Sequence, residues 1–449
     1  MRSGQCLHGL GMRLRSARPL LVPLAAGLMA SACGSSRSGD SGAMPYLDDA
    51  AFRRTELVAS LVNPDNGYSQ LRLAHYASGD AKDWDGLAEW NPAVEPIAAS
   101  ELDAPDGAST TSLSASAASL ELPSGITSAD DPRLLALGAT AFTRYPVQLA
   151  PYLDVALTSR ASAAHYGLWV DEGLGVGGLT RTRMADGTVA VALTCSTCHA
   201  APSGTGIAMG LANASFDLGA ALLDSPLGCA APGAAAAIAA WGPGRLDVTT
   251  TTGTEPVAIP DLRPVRELTY LHRDATLALR DPTTLAIRIE TLIITSQAQV
   301  VRPPRIVALA LAQYILSLAK SLPSAAAASV ASPQGARVFA ASCSRCHSPP
   351  GFTGAPVPLA IVGTDPTLGL SAVRGTGTYR VPSLRGVGTR GPLLHDGTVP
   401  SIDVMFDPAR TTAAFTERLH GSGAVPGHLF GLDLADSDRT ALIAYLRAL

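Results

Sequence analysis

Apolar positions fall along the chain in blocks of different rhythm. Leu20–Ala30 is an unbroken apolar run behind an arginine-bearing start. Its eleven residues fall short of the ~20 that a membrane-spanning helix needs, so residues 1–32 read as a secretory signal. Residues 34–43 are rich in Gly and Ser and read as a flexible tether. Apolar and aromatic content returns over 46–98, with Trp84 and Trp90, and such a segment can pack. Over 99–130 Ala, Ser, Thr, Asp and Pro dominate; with so little to bury, this stretch is expected to be a low-complexity linker. Helical spacing begins at Pro132: Arg133–Ala150 places Leu134, Leu137, Ala141 and Phe142 on one face. Similar helices then alternate with long Gly/Pro-rich connections of the kind that surround a site. Ile306–Leu322 is the longest later apolar run, but Gln313, Ser317 and Lys320 interrupt it.

A self-similarity stands out late in the chain. Ala310-Leu-Ala-Gln-Tyr-Ile-Leu-Ser-Leu318 matches Ala441-Leu-Ile-Ala-Tyr-Leu-Arg-Ala-Leu449, each a short helix with one Tyr among leucines. The pattern divides the chain into a signal (1–32), a tether and N-terminal segment (33–98), the linker (99–130), a first unit (131–325) and a second (326–449). The boundary between the units falls in the Pro323–Pro333 stretch. Composition limits the partners. Once the four arginines of the first 32 residues are set aside, 29 basic side chains face 37 acidic ones, so a nucleic-acid partner is excluded.

The cysteines carry the chemistry. Cys195-Ser-Thr-Cys198-His199 and Cys343-Ser-Arg-Cys346-His347 have the attachment spacing for haem c. One turn of chain lets two thiols reach both vinyl groups of a porphyrin edge, and the next residue puts an imidazole under the iron. His199 and His347 would then be the proximal ligands. A zinc site would have no need of a His directly after each pair, and a redox dithiol needs only one pair. Two covalently attached haems are therefore expected. Ser31-Ala32-Cys33 resembles a bacterial lipoprotein box, with Cys33 acylated; an ordinary signal peptide followed by a chance cysteine is the alternative. Cys6 falls in the signal, and Cys229 reads as an inert thiol.

With both motifs placed, residues 132–449 resemble the bacterial diheme cytochrome c peroxidase superfamily, and within it most nearly the diheme rubber-oxygenase-like branch. The resemblance is carried by Gly138-Ala-Thr-Ala-Phe142, Trp241-Gly-Pro-Gly-Arg245, Gly335-Ala-Arg-Val-Phe339, Tyr379-Arg-Val-Pro-Ser-Leu-Arg385, His395-Asp-Gly397 and Gly427-His428-Leu-Phe430-Gly431. The distal Gln and Glu-Met pattern of the peroxidase proper has no counterpart here, and rubber oxygenases are much longer chains. The resemblance implies a mainly α fold: two cytochrome c-like haem domains with long irregular loops, plus an N-terminal extension.

The missing axial ligands decide the chemistry, because an iron with two strong ligands only passes electrons whereas an open position binds oxygen or peroxide. For the second haem the candidates are His428, His395 and Met405. His428 leads, because a His between glycine-bearing turns has the freedom to reach iron. For the first haem His165, Met184, Met209 and His272 have no clear claim, so that iron is expected to be five-coordinate. Trp241 is a candidate electron relay or ordinary core. Arg245, Arg385 and Arg390 are candidates to pair with haem propionates, or else solvated surface groups. Phe339 and Tyr445 are expected to pack the first and last helices of the second unit together. The expected function is electron transfer by an exported diheme cytochrome c, its first haem a peroxide- or oxygen-reactive centre of peroxidase-like type. A pure carrier with both irons six-coordinate and a rubber-oxygenase-like oxidase of an organic substrate are the alternatives. The partners would be a redox protein or quinol-linked donor, with peroxide or oxygen as the small reactant. The chain would lie on the periplasmic side of a bacterial envelope, held to the outer membrane only by its lipid anchor.

Overall fold

The computed structural model describes residues 44–184, 186–227, 233–247 and 254–449. The signal, Cys6, Cys33 and Cys229 lie outside the described residues. Helix, at 41 % of the chain, outweighs strand at 12 %, and the strands are gathered into several small sheets.

Two helices open the described chain, α1 (Ala50–Ser60) and α2 (Gly67–His75), capped by Asp49 and Asn66. In the first unit α3 (Pro132–Arg144) starts on an Asp131 cap with Pro at its first position, where the missing N–H costs nothing. It ends at Arg144, before the expected Ala150, because Pro146 cannot continue a helix. Two long apolar helices close the unit, α4 (Pro282–Ser296) and α5 (Arg305–Ser317). The second unit opens with α6 (Pro333–Ser342) and closes with α7 (Asp436–Ala448).

The repeat read from sequence is a repeat of packing. In the first unit α3 lies against α5, and a Cβ placed on Gly138 would stand 2.1 Å from the Ala310 carbonyl oxygen and 2.7 Å from Tyr314 Cβ. In the second α6 lies against α7, and a Cβ on Gly335 would stand 2.1 Å from the Ala441 oxygen and 2.6 Å from Tyr445 Cβ. Only glycine permits backbones to cross this closely. One turn along each opening helix an aromatic ring meets the same tyrosine: Phe142 lies 5.2 Å from Tyr314, and Phe339 lies 5.4 Å from Tyr445. The expected packing of Phe339 on Tyr445 is thus present, with an equivalent in the first unit.

The 99–130 stretch departs from its expected role as a linker. Arg181, buried, donates to Glu101 at 2.7 Å and to the Ser109 carbonyl at 2.9 Å. Ala108 N–H bonds to the Leu157 carbonyl, and Leu102, Ala108, Leu120 and Ile126 are buried. A few well-spaced apolar residues, with the backbone held by an arginine, are enough to order a segment whose overall composition is polar. The preceding segment is also part of the first unit. Its strand β1 (Val94–Pro96) edges a four-stranded antiparallel sheet that runs on through β3 (Leu179–Arg183) and β4 (Val189–Leu193) to β2 (Gln148–Leu149). One core accordingly spans Tyr46 to Leu316, whereas the second unit's core is built only from Ala325 onward.

The run Arg305–Ala331 is long and apolar enough to cross a membrane, with mean hydropathy 1.5. In the fold α5 ends at Ser317, Pro323 separates it from Ala325–Ala331, and Val307, Leu311 and Ile315 are buried in the first core.

Candidate functional site

Each Cys-x-x-Cys-His element sits on one turn of helix. Cys195–His199 is a short helix preceded by Thr194, whose hydroxyl donates to the Gly178 carbonyl at 2.7 Å. Cys343–His347 is a turn closed by the His347 N–H on the Cys343 carbonyl at 3.0 Å. All four thiols are free. Burial pushes Cys195 and Cys198 up to about 12 and Cys343 up to about 11, so they are held as neutral thiols. Among the described residues no three His, Cys, Asp or Glu side chains converge to hold a bare metal ion. The thiols and imidazole of a motif therefore do not share a centre as zinc ligands would.

Both imidazoles are oriented in the same way. His199 Nδ1 lies 2.9 Å from the Pro260 carbonyl oxygen, and His347 Nδ1 lies 3.2 Å from that of Pro382 and 3.2 Å from that of Phe352. A carbonyl can only accept, so Nδ1 carries the proton and Nε2 keeps its lone pair for an electrophile. Burial lowers both rings to about 4, which keeps them neutral at physiological pH. The two prolines open equivalent loops, Pro260-Asp-Leu-Arg263 and Pro382-Ser-Leu-Arg385. The sequence shows this second repeat as Pro-x-Leu-Arg; Pro382 falls in the Tyr379–Arg385 stretch that carries the resemblance, whereas Pro260 is a site residue that sequence reasoning did not single out.

A cavity of about 450 Å³ opens at the second motif, lined by Cys343, Cys346, His347, His395, Met405 and His428. His428 faces His347 with ring centres 6.4 Å apart. Two imidazoles sharing one metal at ~2 Å from each nitrogen have centres roughly 6–6.5 Å apart, each centre lying roughly 1.1 Å behind its nitrogen. The observed separation falls in that range. His428 is also placed at some conformational cost: its φ is +43°, in the left-handed region that non-glycine residues avoid. Gly427 before it passes so near the neighbouring loop that a Cβ would stand 2.2 Å from Thr364 N.

The loop is secured by Arg410, which no sequence pattern singles out. Arg410 is fully buried. Its guanidinium donates to the carbonyls of Met405 (2.9 Å), Val425 (2.9 Å), Gly427 (3.1 Å) and His428 (2.7 Å). Among the described residues its acceptors are all backbone oxygens, so the cation serves as a fork that fixes one loop against another.

The other candidates separate clearly. His395 stacks on Tyr379, ring centres 4.3 Å apart, with its Nε2 3.3 Å from the Tyr379 hydroxyl; this side chain already has a partner. Met405 lies at the cavity wall but packs within the second core. Arg390 lines the cavity and donates to the Ser383 carbonyl, and Arg273 and Arg380 join it there. Burial depresses these two, to about 10 and about 9, with neighbouring guanidinium groups adding to the effect. Arg385 points elsewhere, to the Pro323 carbonyl at 2.7 Å and toward Glu267. Arg245 donates to the Trp241 carbonyl at 3.2 Å and is not part of the cavity wall. Trp241 is buried in an apolar cluster of the first unit with Leu222 and Ile238, against which Cys198 packs. His165, beside Tyr166, and Met184, in a turn with Thr188, stand apart from any cavity described here. Met209 packs against the same core as Cys195.

Neither a scan against protein-family models nor a search of the curated proteins finds a match.

Proposed function

We propose that this chain is an exported diheme c-type cytochrome that transfers electrons, with its first haem the candidate reaction centre for peroxide or oxygen. The single observation that carries the reading is the pair His347–His428, 6.4 Å apart across a cavity into which Cys343 and Cys346 open. The residues present fit a covalent haem: two thiols at the cavity wall, two neutral imidazoles 6.4 Å apart, and Arg273, Arg380 and Arg390 at the wall to meet carboxylates. When bound, a six-coordinate haem of this type supplies one-electron transfer without binding a small ligand. The chain's own contribution is to fix both ring orientations through Pro382 and the Arg410-held loop, and to keep water out with an apolar wall.

The first motif supports a second haem by equivalence. His199 has the same proline carbonyl as its orienting partner and the same helix crossing behind it. The diheme peroxidase superfamily, in its rubber-oxygenase-like branch, is the family reading that best accommodates these features. Export and a lipid anchor at Cys33 follow from the N-terminal pattern, and would place the protein on the periplasmic side of the outer membrane.

The test is optical and electron-paramagnetic-resonance spectroscopy of chain matured with a c-type haem system, at oxidised, half-reduced and fully reduced levels. Two haems retained on a denaturing gel are expected, with one low-spin signal that His428→Ala converts to high spin and Met405→Leu leaves unchanged. Absence of covalent haem would overturn the assignment. A low-spin signal indifferent to His428→Ala would overturn the ligand.

A further inference from the structure

A second polar cluster, which the proposed electron path does not use, lies where the N-terminal segment meets both units. Tyr68 and Arg72 come from α2, Arg288 from α4, His272 from the Tyr270–Leu271 hairpin, and Arg374 from a second-unit loop. The groups touch in sequence. The Arg72 guanidinium lies 3.4 Å over the Tyr68 ring, that of Arg374 5.8 Å from it, and the His272 ring meets Tyr68 edge-on at 5.3 Å. Arg288 Nε donates to His272 Nε2.

The charges do not balance. Arg72, Arg288, Arg374 and Arg380 all act on His272, and the acids within reach of Arg374 are Asp274, 3.5 Å away, and Glu255. Arg72 is 4 % exposed, Arg374 6 % and Tyr68 9 %. Tyr68 Oη, His272 Nδ1 and Arg288 Nη1 are buried without a hydrogen-bond partner. Arg72 donates to Thr291 Oγ1 at 3.1 Å and to the Tyr68 carbonyl at 3.1 Å, but among the described residues neither it nor Arg288 forms an ion pair. Interiors rarely keep either an unpaired cation or an orphaned donor, and here both meet in one place. His272 itself has φ +64°, so the backbone is strained to bring this imidazole in.

We infer that Tyr68, Arg72, His272, Arg288 and Arg374 form a binding site for a carboxylate, completed by the N-terminal segment. A carboxylate accepts from two guanidinium groups and a hydroxyl at once, which would satisfy the orphaned donors and offset the excess charge. It has two sources, a propionate of a porphyrin held at the nearby first motif or a free small acid. The site does not depend on the haem assignment, because it rests on groups outside both motifs.

The experiment measures acetate binding by calorimetry on the full chain, with chloride at equal ionic strength as control. It uses the mature protein and a Cys195→Ser/Cys198→Ser form that cannot attach a group at the first motif. If the acid is free, the mature protein binds acetate saturably, at least tenfold more weakly in Arg72→Gln or Arg374→Gln, with recovery in Arg72→Lys. If the acid belongs to the porphyrin, acetate binds only the Cys-to-Ser form, and Arg288→Gln shifts the reduction potential of the first centre in mature protein. Acetate no better than chloride in both forms, with folded circular dichroism and an unmoved potential, overturns the inference. If the wild-type chain matured with the haem system carries no haem yet binds acetate, the cytochrome reading falls and this site stands.

Discussion

The Arg410 guanidinium, fully buried and bonded to four carbonyl oxygens, holds the loop of His428 in a conformation its φ of +43° would not choose. Replacing it with Leu leaves those acceptors without donors and releases the loop, at a cost of roughly 3–5 kcal/mol. Arg410→Leu is expected to lower the urea midpoint and to weaken the low-spin signature tied to His428. Arg410→Lys, with the charge but not the fork, is expected to recover less than half of either. A wild-type midpoint in Arg410→Leu would show that the loop holds itself. The pairing of His428 with His347 is expected from the glycines that flank His428, whereas nothing in the sequence points to Arg410. Residues distant along the chain are joined only by folding: Arg410 bonds across 18 positions, and no periodicity encodes that. By contrast the motifs of His199 and His347 were legible, since each is defined by the four residues just before the His.

The two helix crossings show which parts of an element a sequence does reveal. Gly138, Phe142 and Tyr314 in one unit match Gly335, Phe339 and Tyr445 in the other, because a close crossing demands glycine at one point and a ring on either side. The paired Pro-x-Leu-Arg loops follow the same logic but were hidden by their short length. The 99–130 stretch was misread because composition averages over a segment, whereas packing needs only Leu102, Ala108, Leu120 and Ile126 in the right places. The crossing makes a direct prediction. Gly335→Ala puts a methyl group 2.1 Å from the Ala441 oxygen, so α6 and α7 must separate, which costs about 2–3 kcal/mol. Gly138→Ala should cost a similar amount in the first unit. Denaturant unfolding of the two variants checks both, and a loss under about 0.5 kcal/mol, the range of ordinary surface substitutions, would show that the helices yield without strain.

At the scale of the whole molecule, a buried carboxylate is among the ties that fasten the N-terminal segment to the first unit. Glu290 of α4 is fully buried and accepts from Tyr46 at 2.9 Å and Tyr76 at 2.7 Å. Arg305 approaches its other oxygen at 3.2 Å, while Asp85 bridges Arg53 and Arg305 at 2.6 Å each. The anchor matters beyond stability, because it holds the segment that supplies Tyr68 and Arg72 to the carboxylate site. Burial raises the Glu290 carboxyl above its ordinary value of 4.5, with Arg305 and the two tyrosines opposing but not reversing this. The folded chain therefore binds that proton more tightly than the unfolded chain does. Glu290's contribution to stability is complete below 4.5 and is lost as pH rises through the raised value, with a slope of at most ~1.4 kcal/mol per pH unit. Glu290→Gln keeps the shape and cannot titrate. The stability of wild type relative to this variant, followed by urea unfolding from pH 4 to pH 8, is expected to fall as the pH climbs. A gap that widened with pH would mean that Arg305 and Arg53 outweigh burial and hold the carboxylate ionised in the fold.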